Sequence, residues 1–268
     1  MRHGAQIHPT GNPPRTLQDL RAAIDAITDN TAQALAAPPV LTGWGLLDAA
    51  MPTGGLARGA VHEWFAETGE RPSSGGSPTP LAVLIHLARL AAPGADLSPA
   101  VVWIGRRCWP YPPLLARLGA GSLLHRSVFI DARDHAERIW AIDIALRCPG
   151  VAAVVGDAAG LSMAESRKLQ LAAAGGRALG LIVKPVREIG EISAANTRWL
   201  VRSEPSQTGE PGWIVELLRC KGVRPMSEGV RRITVRWRHE TGDVRLVPDT
   251  LDRPAEAARP PIRIRHAV

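Results

Sequence analysis

The residues between Glu67 and Pro80, ETGERPSSGGSPTP, are the first place in this chain where chemistry is conceivable. They are rich in Gly, Ser and Pro. They follow a short apolar run, VHEWFA at 61–66, and precede an apolar helical stretch, LAVLIHLARLAA at 81–92. Strand, small-residue loop and helix is the layout in which backbone N–H groups and a helix N-terminus cradle a phosphate. Nucleotide chemistry also needs a Lys at the β- and γ-phosphates and a following Ser or Thr for Mg²⁺. The loop has neither in place; Lys168, Lys184 and Lys221 are the only lysines of the chain, and Arg71 is the one cation in the loop. A wide planar guanidinium does not replace a compact ammonium. The stretch GGLARGAV at 54–61 also fails, because it leads into a strand and carries Ala60 and Val61 where Lys and Ser or Thr are needed.

A second candidate is RRCWPYPP at 106–113, which follows the apolar run VVWIG. It begins at the carboxyl end of a strand, the edge where open α/β sheets bind their ligands. Arg106 and Arg107 beside Trp109 and Tyr111 can neutralise phosphates and stack on bases, or form a protein hot spot. A Pro-stiffened loop whose Trp caps the core is the plain alternative. Other chemistries find no footing. His62-Glu63 lacks a second His at metal-ligand spacing, and no Cys-x-x-Cys pair is present. Ser73 and Ser74 lie outside any Gly-x-Ser-x-Gly elbow. No metal site and no cofactor are expected. Most of the eight Trp residues fall in apolar strands or helices and read as core.

The elements that would position these residues alternate. From Leu41, strands are expected at 61–66, 101–105, 127–132, 151–155 and 178–184, with helices at 79–92, near 112–119, 134–147 and 162–174. Short apolar runs separated by helices predict a mostly parallel α/β sheet covered on both faces. Past Lys184, strands at 197–205, 212–220, 231–240 and 243–248 predict an antiparallel extension, with Thr241-Gly242 as a turn. Ahead of the domain, Leu17, Leu20, Ile24 and Ile27 form a narrow apolar stripe on a polar helix that ends at Pro38-Pro39. The organisation expected is a lead and helix over 1–40, a domain over 41–250 and a Pro- and Arg-rich tail over 251–268.

The formal charge of +7 favours an acidic partner such as DNA. Apolar runs fall short of the roughly 18 residues that a membrane span requires. Three cysteines without metal-type spacing suit free thiols in a reducing cytoplasm.

Taken in order, TGWGLLDAAMPTGGLARGAVHEWFA (42–66) resembles the lead-in to the phosphate loop of RecA-type proteins, and WIVELLRCKGVRP (213–225) resembles their late strand with two basic residues. ERIWAIDIALRCPGVAAVVGD (137–157), SRKLQLAAAGG (166–176) and Thr197-Arg198-Trp199 extend the likeness, and the linked series from 41 to 240 is similar to the ImuA-type accessory proteins of damage-induced mutagenesis. The resemblance implies a RecA-like fold with a degenerate phosphate loop. It also implies a non-catalytic role in translesion synthesis, beside an ImuB-type polymerase-like protein and a DnaE2-type polymerase, with RecA as a further candidate partner and DNA binding or self-association open. A RecA-type ATPase would carry a glutamate after its second strand, where this chain has Gly105-Arg106-Arg107-Cys108. Its metal-site acid would follow 151–155, where Gly156 displaces Asp157 by one. Residues 156–165 and 186–196, the latter with Arg187, Glu188 and Glu191, stand in for the DNA-binding loops. Arg219 and Lys221 match the paired basic positions near a neighbouring subunit. RecA-type proteins also reach that neighbour through a segment ahead of the core, the place of the 16–36 helix. Two rivals follow from the same superfamily, an ATP-driven recombinase and a SulA-type inhibitor of cell division.

Overall fold

The computed structural model describes residues 38–66, 80–93, 100–117, 123–204, 210–223, 231–238 and 241–247. The helix expected at 16–36 with Leu17, Leu20, Ile24 and Ile27, the loop around Arg71 and the tail from Leu251 lie outside these residues. The chain runs α1 (Gly45–Ala50), β1 (Ala60–Ala66), α2 (Leu81–Ala91), β2 (Ala100–Ile104), α3 (Pro112–Arg117) and β3 (Ser127–Ile130). It continues through α4 (His135–Arg147), β4 (Val151–Asp157), α5 (Met163–Gly176) and β5 (Leu179–Pro185). The strands β6 (Thr197–Glu204), β7 (Gly212–Cys220), β8 (Arg232–Arg238) and β9 (Asp243–Leu246) close the order.

The nine strands among the described residues form one sheet in the order β3-β2-β4-β5-β1-β6-β7-β8-β9. From β3 to β6 every pairing is parallel, and from β6 to β9 every pairing is antiparallel. This is the expected mixed sheet. β1, β4 and β5 are buried along their whole length, because a strand in the middle of a parallel sheet has helices on both faces and cannot alternate with polar residues. One face packs α2 and the lead-in around Trp44, Leu84, Trp103 and a Trp64–Trp199 stack, the two indoles 5.1 Å apart and 7° from parallel. The other face packs α4 and α5 through Val61, Ile142, Leu146, Leu169 and Ala172.

Local sequence explains the boundaries. Asp134 caps α4 by accepting the Glu137 N–H at 2.9 Å. Ser162 and Glu165 form a reciprocal capping box on α5, a device worth about 1 kcal/mol. α1 was not expected from the pattern. Asp48, inside it, reaches back to accept bonds from Thr42 N–H, Thr42 Oγ–H and Gly43 N–H, so a carboxylate pins the turn that starts this short helix. α5 ends tight against α4: a Cβ on Gly176 would lie 1.9 Å from the Leu146 carbonyl oxygen.

β4 corrects the expected strand 151–155, since it continues through Asp157, which pairs with Val183 of β5. Gly156 faces α4, where a Cβ would meet Ile142 Cδ1 at 2.6 Å. Asp157 therefore closes the strand on the opposite face and is not a loop residue. Two buried histidines tie the sheet to its lead-in. The Trp199 indole N–H donates to Thr197 Oγ1, whose own proton faces His62 Nδ1 at 2.7 Å. That leaves His62 Nε2–H to donate to the Ala57 carbonyl at 2.9 Å, which fixes a neutral imidazole.

Candidate functional site

β2 delivers its chain into Gly105, whose φ of 85° and lack of a Cβ both matter: a side chain there would approach Asp157 Cβ at 3.2 Å and Arg138 Cδ at 3.3 Å. The Gly105 N–H bonds to the Ile130 carbonyl at 3.0 Å, and a 3-10 turn over Arg106–Cys108 follows. Cys108 points into the core with no exposure, and burial beside the Asp157 charge pushes its thiol pKa up, so it anchors the turn and is no nucleophile. The two arginines stand at the carboxyl edge.

There they join Asp157 and three residues that sequence reasoning did not single out, Asp131, Arg133 and Arg138. Arg106 grips Asp131 with a fork, Nε at 3.0 Å from both carboxylate oxygens. The Arg106 bonds hold the Asp131 carboxyl below its usual range, although the pair is exposed and of small worth to stability. Arg107 Nε lies 3.8 Å from Asp157 Oδ2. Asp157 Oδ1 and Arg138 Nε are buried without a hydrogen-bond partner among the described residues. With Arg133 these groups line a cavity of about 340 Å³, four arginines against two aspartates. It presents net positive charge at the ends of β2, β3 and β4.

The aromatic half of the expected site divides. Trp109 turns inward, edge-on to Phe129 at 5.9 Å and packed against the core, so the core-capping account holds for it. Tyr111 is 71% exposed and is available to a ligand. Trp140, expected in the core, is instead 63% exposed on the outer side of α4.

Arg187 stands exposed at the end of β5, its Nη2 3.7 Å from Glu188 Oε1. The loop that follows is held down. Glu188 is buried, accepts the Gly160 N–H at 3.0 Å and lies 3.4 Å from the buried Lys184 Nζ. Lys184 also donates to Glu191 at 3.1 Å. The acids of the loop are thus turned onto Lys184 and onto the neighbouring loop 156–165, clasping the two loops together.

The chain then crosses from the end of β5 back to the start of β6. Ser193 Oγ donates to Glu63 at 2.6 Å, and Arg198 Nε donates to the other Glu63 oxygen at 2.8 Å. Arg198 also holds the carbonyls of Ile189 and Glu188 and lies over the Phe65 ring at 4.7 Å. Arg219 Nη2 bonds the Ser193 and Ala195 carbonyls at 3.0 and 2.7 Å. Arg219 opposes Arg198, which aligns with Glu63 in mid-strand. The Lys221 N–H bonds the Asn196 carbonyl, and the Asn196 N–H bonds the Val61 carbonyl. Arg219 and Lys221 therefore share one cleft lined also by α5, set back from the carboxyl edge that carries Arg106, Arg107 and Arg187. The expected contact residues form two separate places. The signal for the buried pair was present in the sequence: one acid inside the largely apolar VHEWFA and one base inside the largely apolar TRWLV.

Among the described residues no group of three or more His, Cys, Asp or Glu side chains is arranged to hold a metal ion, and no helix is long and apolar enough to cross a membrane.

The strand order, the antiparallel extension and the ligand edge define the class. The crystal structure of the RadB recombinase aligns with a TM-score of 0.55 over 78% of this chain and 99% of that one, at 15% identity; the fold is RecA-like. No protein-family model matches the chain. Proteins named ImuA from two strains of Caulobacter vibrioides are each 34% identical over 209 residues, 70% of this chain and 81% of theirs. The chain belongs to the ImuA family.

Proposed function

We propose that this protein is a RecA-like scaffold without nucleotide chemistry, an accessory factor of damage-induced translesion DNA synthesis that works with an ImuB-type polymerase-like protein and a DnaE2-type polymerase. The observation that carries the reading is the Gly105-Arg106-Arg107 turn. A catalytic carboxylate after β2 would activate water; two guanidiniums stand there instead, and a guanidinium cannot take up a proton at neutral pH. Asp157, at the end of β4, faces Arg107. The missing Gly-Lys-Ser/Thr of the 67–80 loop supports the same conclusion. ImuA membership supports the mutagenesis role over the SulA-type and recombinase alternatives. The stripe Leu17, Leu20, Ile24 and Ile27 is the proposed contact with the polymerase-like partner or a second copy.

The test is affinity purification of the tagged chain from damaged cells, with an ATPase assay on the purified protein. A polymerase-like protein and a DnaE2-type polymerase should co-purify, and Mg²⁺-dependent ATP turnover should stay at background. Absence of both polymerases overturns the partnership, and measurable turnover overturns the non-catalytic half. A second role, direct contact with DNA at the carboxyl edge, is supported by Arg133 and Arg138 joining Arg106 and Arg107, with the exposed Tyr111 four residues on in the chain from Arg107.

A further inference from the structure

The cleft between α5 and the end of β7 has a volume of about 700 Å³, within the range that holds a peptide segment or a small molecule. Its cations are Arg167, Arg219 and Lys221, and among the described residues no carboxylate lines it. Glu63, the acid that acts on Arg219, is already bonded to Arg198 and Ser193. Arg219 is fixed in place by two carbonyls, so a guanidinium is held ready without a counter-charge in the cleft. The same cleft also has apolar lining: Leu171, 66% exposed, with Met163, Ala194 and Val223. An exposed leucine in one cleft with a fixed guanidinium and two exposed cations is a surface for a ligand with one apolar group and at least one carboxylate. Among the described residues no aromatic side chain lines the cleft, and sequence-tolerant nucleic-acid grooves depend on aromatic stacking platforms. The surface favours a peptide over a nucleotide.

We infer that this cleft receives an acidic segment of a partner protein, placing a carboxylate among Arg167, Arg219 and Lys221 and an aliphatic side chain on Leu171. The inference rests on the scaffold reading and assigns one of its contacts. It is separate from the carboxyl-edge arginines, so the two surfaces can be occupied together.

The experiment measures fluorescence anisotropy of a labelled eight-residue peptide of alternating Asp and Leu, titrated with the full chain. A Lys-Leu peptide and an oligothymidylate are the comparison probes. The acidic peptide should bind and the basic one should not. Arg167→Glu with Lys221→Glu, both exposed positions that leave the Arg219 carbonyl bonds intact, should weaken binding at least tenfold with an unchanged melting curve. Leu171→Ser should weaken it several-fold, and Arg106→Ala with Arg107→Ala should leave it unchanged. Equal binding of the two peptides, or binding indifferent to the double charge reversal, overturns the inference. Displacement of the peptide by oligothymidylate through the same residues also overturns it and makes the cleft a nucleic-acid site. If the polymerases co-purify equally with wild type and the Arg167→Glu/Lys221→Glu variant, the scaffold reading stands and the cleft assignment alone fails.

Discussion

Arg198 and Glu63 face each other from adjacent parallel strands, Nε to Oε2 at 2.8 Å, with Glu63 wholly inaccessible to solvent. A charge pair so placed gains little over an apolar pair of similar size, because both ions lose their water. Its value here is positional. The same guanidinium holds two carbonyls of the loop after β5, and the same carboxylate holds Ser193, so the pair fixes the path by which the chain crosses back over the sheet.

Glu63→Gln should therefore cost about 3–5 kcal/mol, the usual consequence of stranding one member of a buried pair. Combining Glu63→Leu with Arg198→Met should recover part of that loss, short of wild type because the loop carbonyls lose their donor. Urea unfolding of the three chains decides; a single variant within about 0.5 kcal/mol of wild type would show that the pair is dispensable.

Acid should act through His62. Burial pushes its pKa from 6.5 down to about 4, so the folded state holds the imidazole neutral while the unfolded chain takes up a proton. The stability it contributes is complete above about pH 6.5 and is lost as the pH falls towards 4. The difference is worth roughly 3 kcal/mol. His86 is shifted in the same direction, chiefly by desolvation. Stability measured against pH should fall across this window, and His62→Gln should flatten the fall; an equally steep fall in the variant would move the cause elsewhere.

DNA affinity, if carried by the carboxyl edge, should weaken steeply with salt. Arg107→Ala with Arg133→Ala should lower the slope of log affinity against log salt by about one to two. Asp131→Asn should have the opposite sign, since it removes the carboxylate that Arg106 now grips. Affinity that ignores all three changes would take this edge out of DNA contact.

For the N-terminal stripe, Leu20→Glu with Ile24→Glu should abolish association with the partner while the melting temperature of the 41–248 domain stays nearly unchanged. Each buried aliphatic lost should cost roughly 2 kcal/mol of binding. A drop of many degrees with association intact would mean the helix packs on its own domain.

The sheet was legible because its code is local: apolar runs of five to seven residues, broken by Pro, Gly and capping residues, announce parallel strands with little ambiguity. Arg219 and Lys221 line one cleft, although Lys221 lies just past the end of β7. The rest depended on distant contacts. Nothing near Asp131 in sequence says that it will meet Arg106, because that meeting is set by the order β3-β2-β4. Trp109 and Tyr111 stand two residues apart and look alike as candidates, yet a single turn of backbone sends one under the sheet edge and the other into solvent. The strand at 151–155 is two residues short of the observed β4 because the apolar run ends before Gly156 and Asp157, and Gly156 leaves the gap that α4 fills.

The Trp64–Trp199 stack gives the molecule an optical signature of its own. Two indoles 5.1 Å apart and nearly parallel share their electronic excitations, and a pair on neighbouring strands does so only while those strands keep register. The near-ultraviolet absorption and circular dichroism of this pair therefore report on β1 against β6. Those are the strands that carry Glu63 and Arg198, so local loosening of the crossing segment and global unfolding become separable signals in a single spectrum.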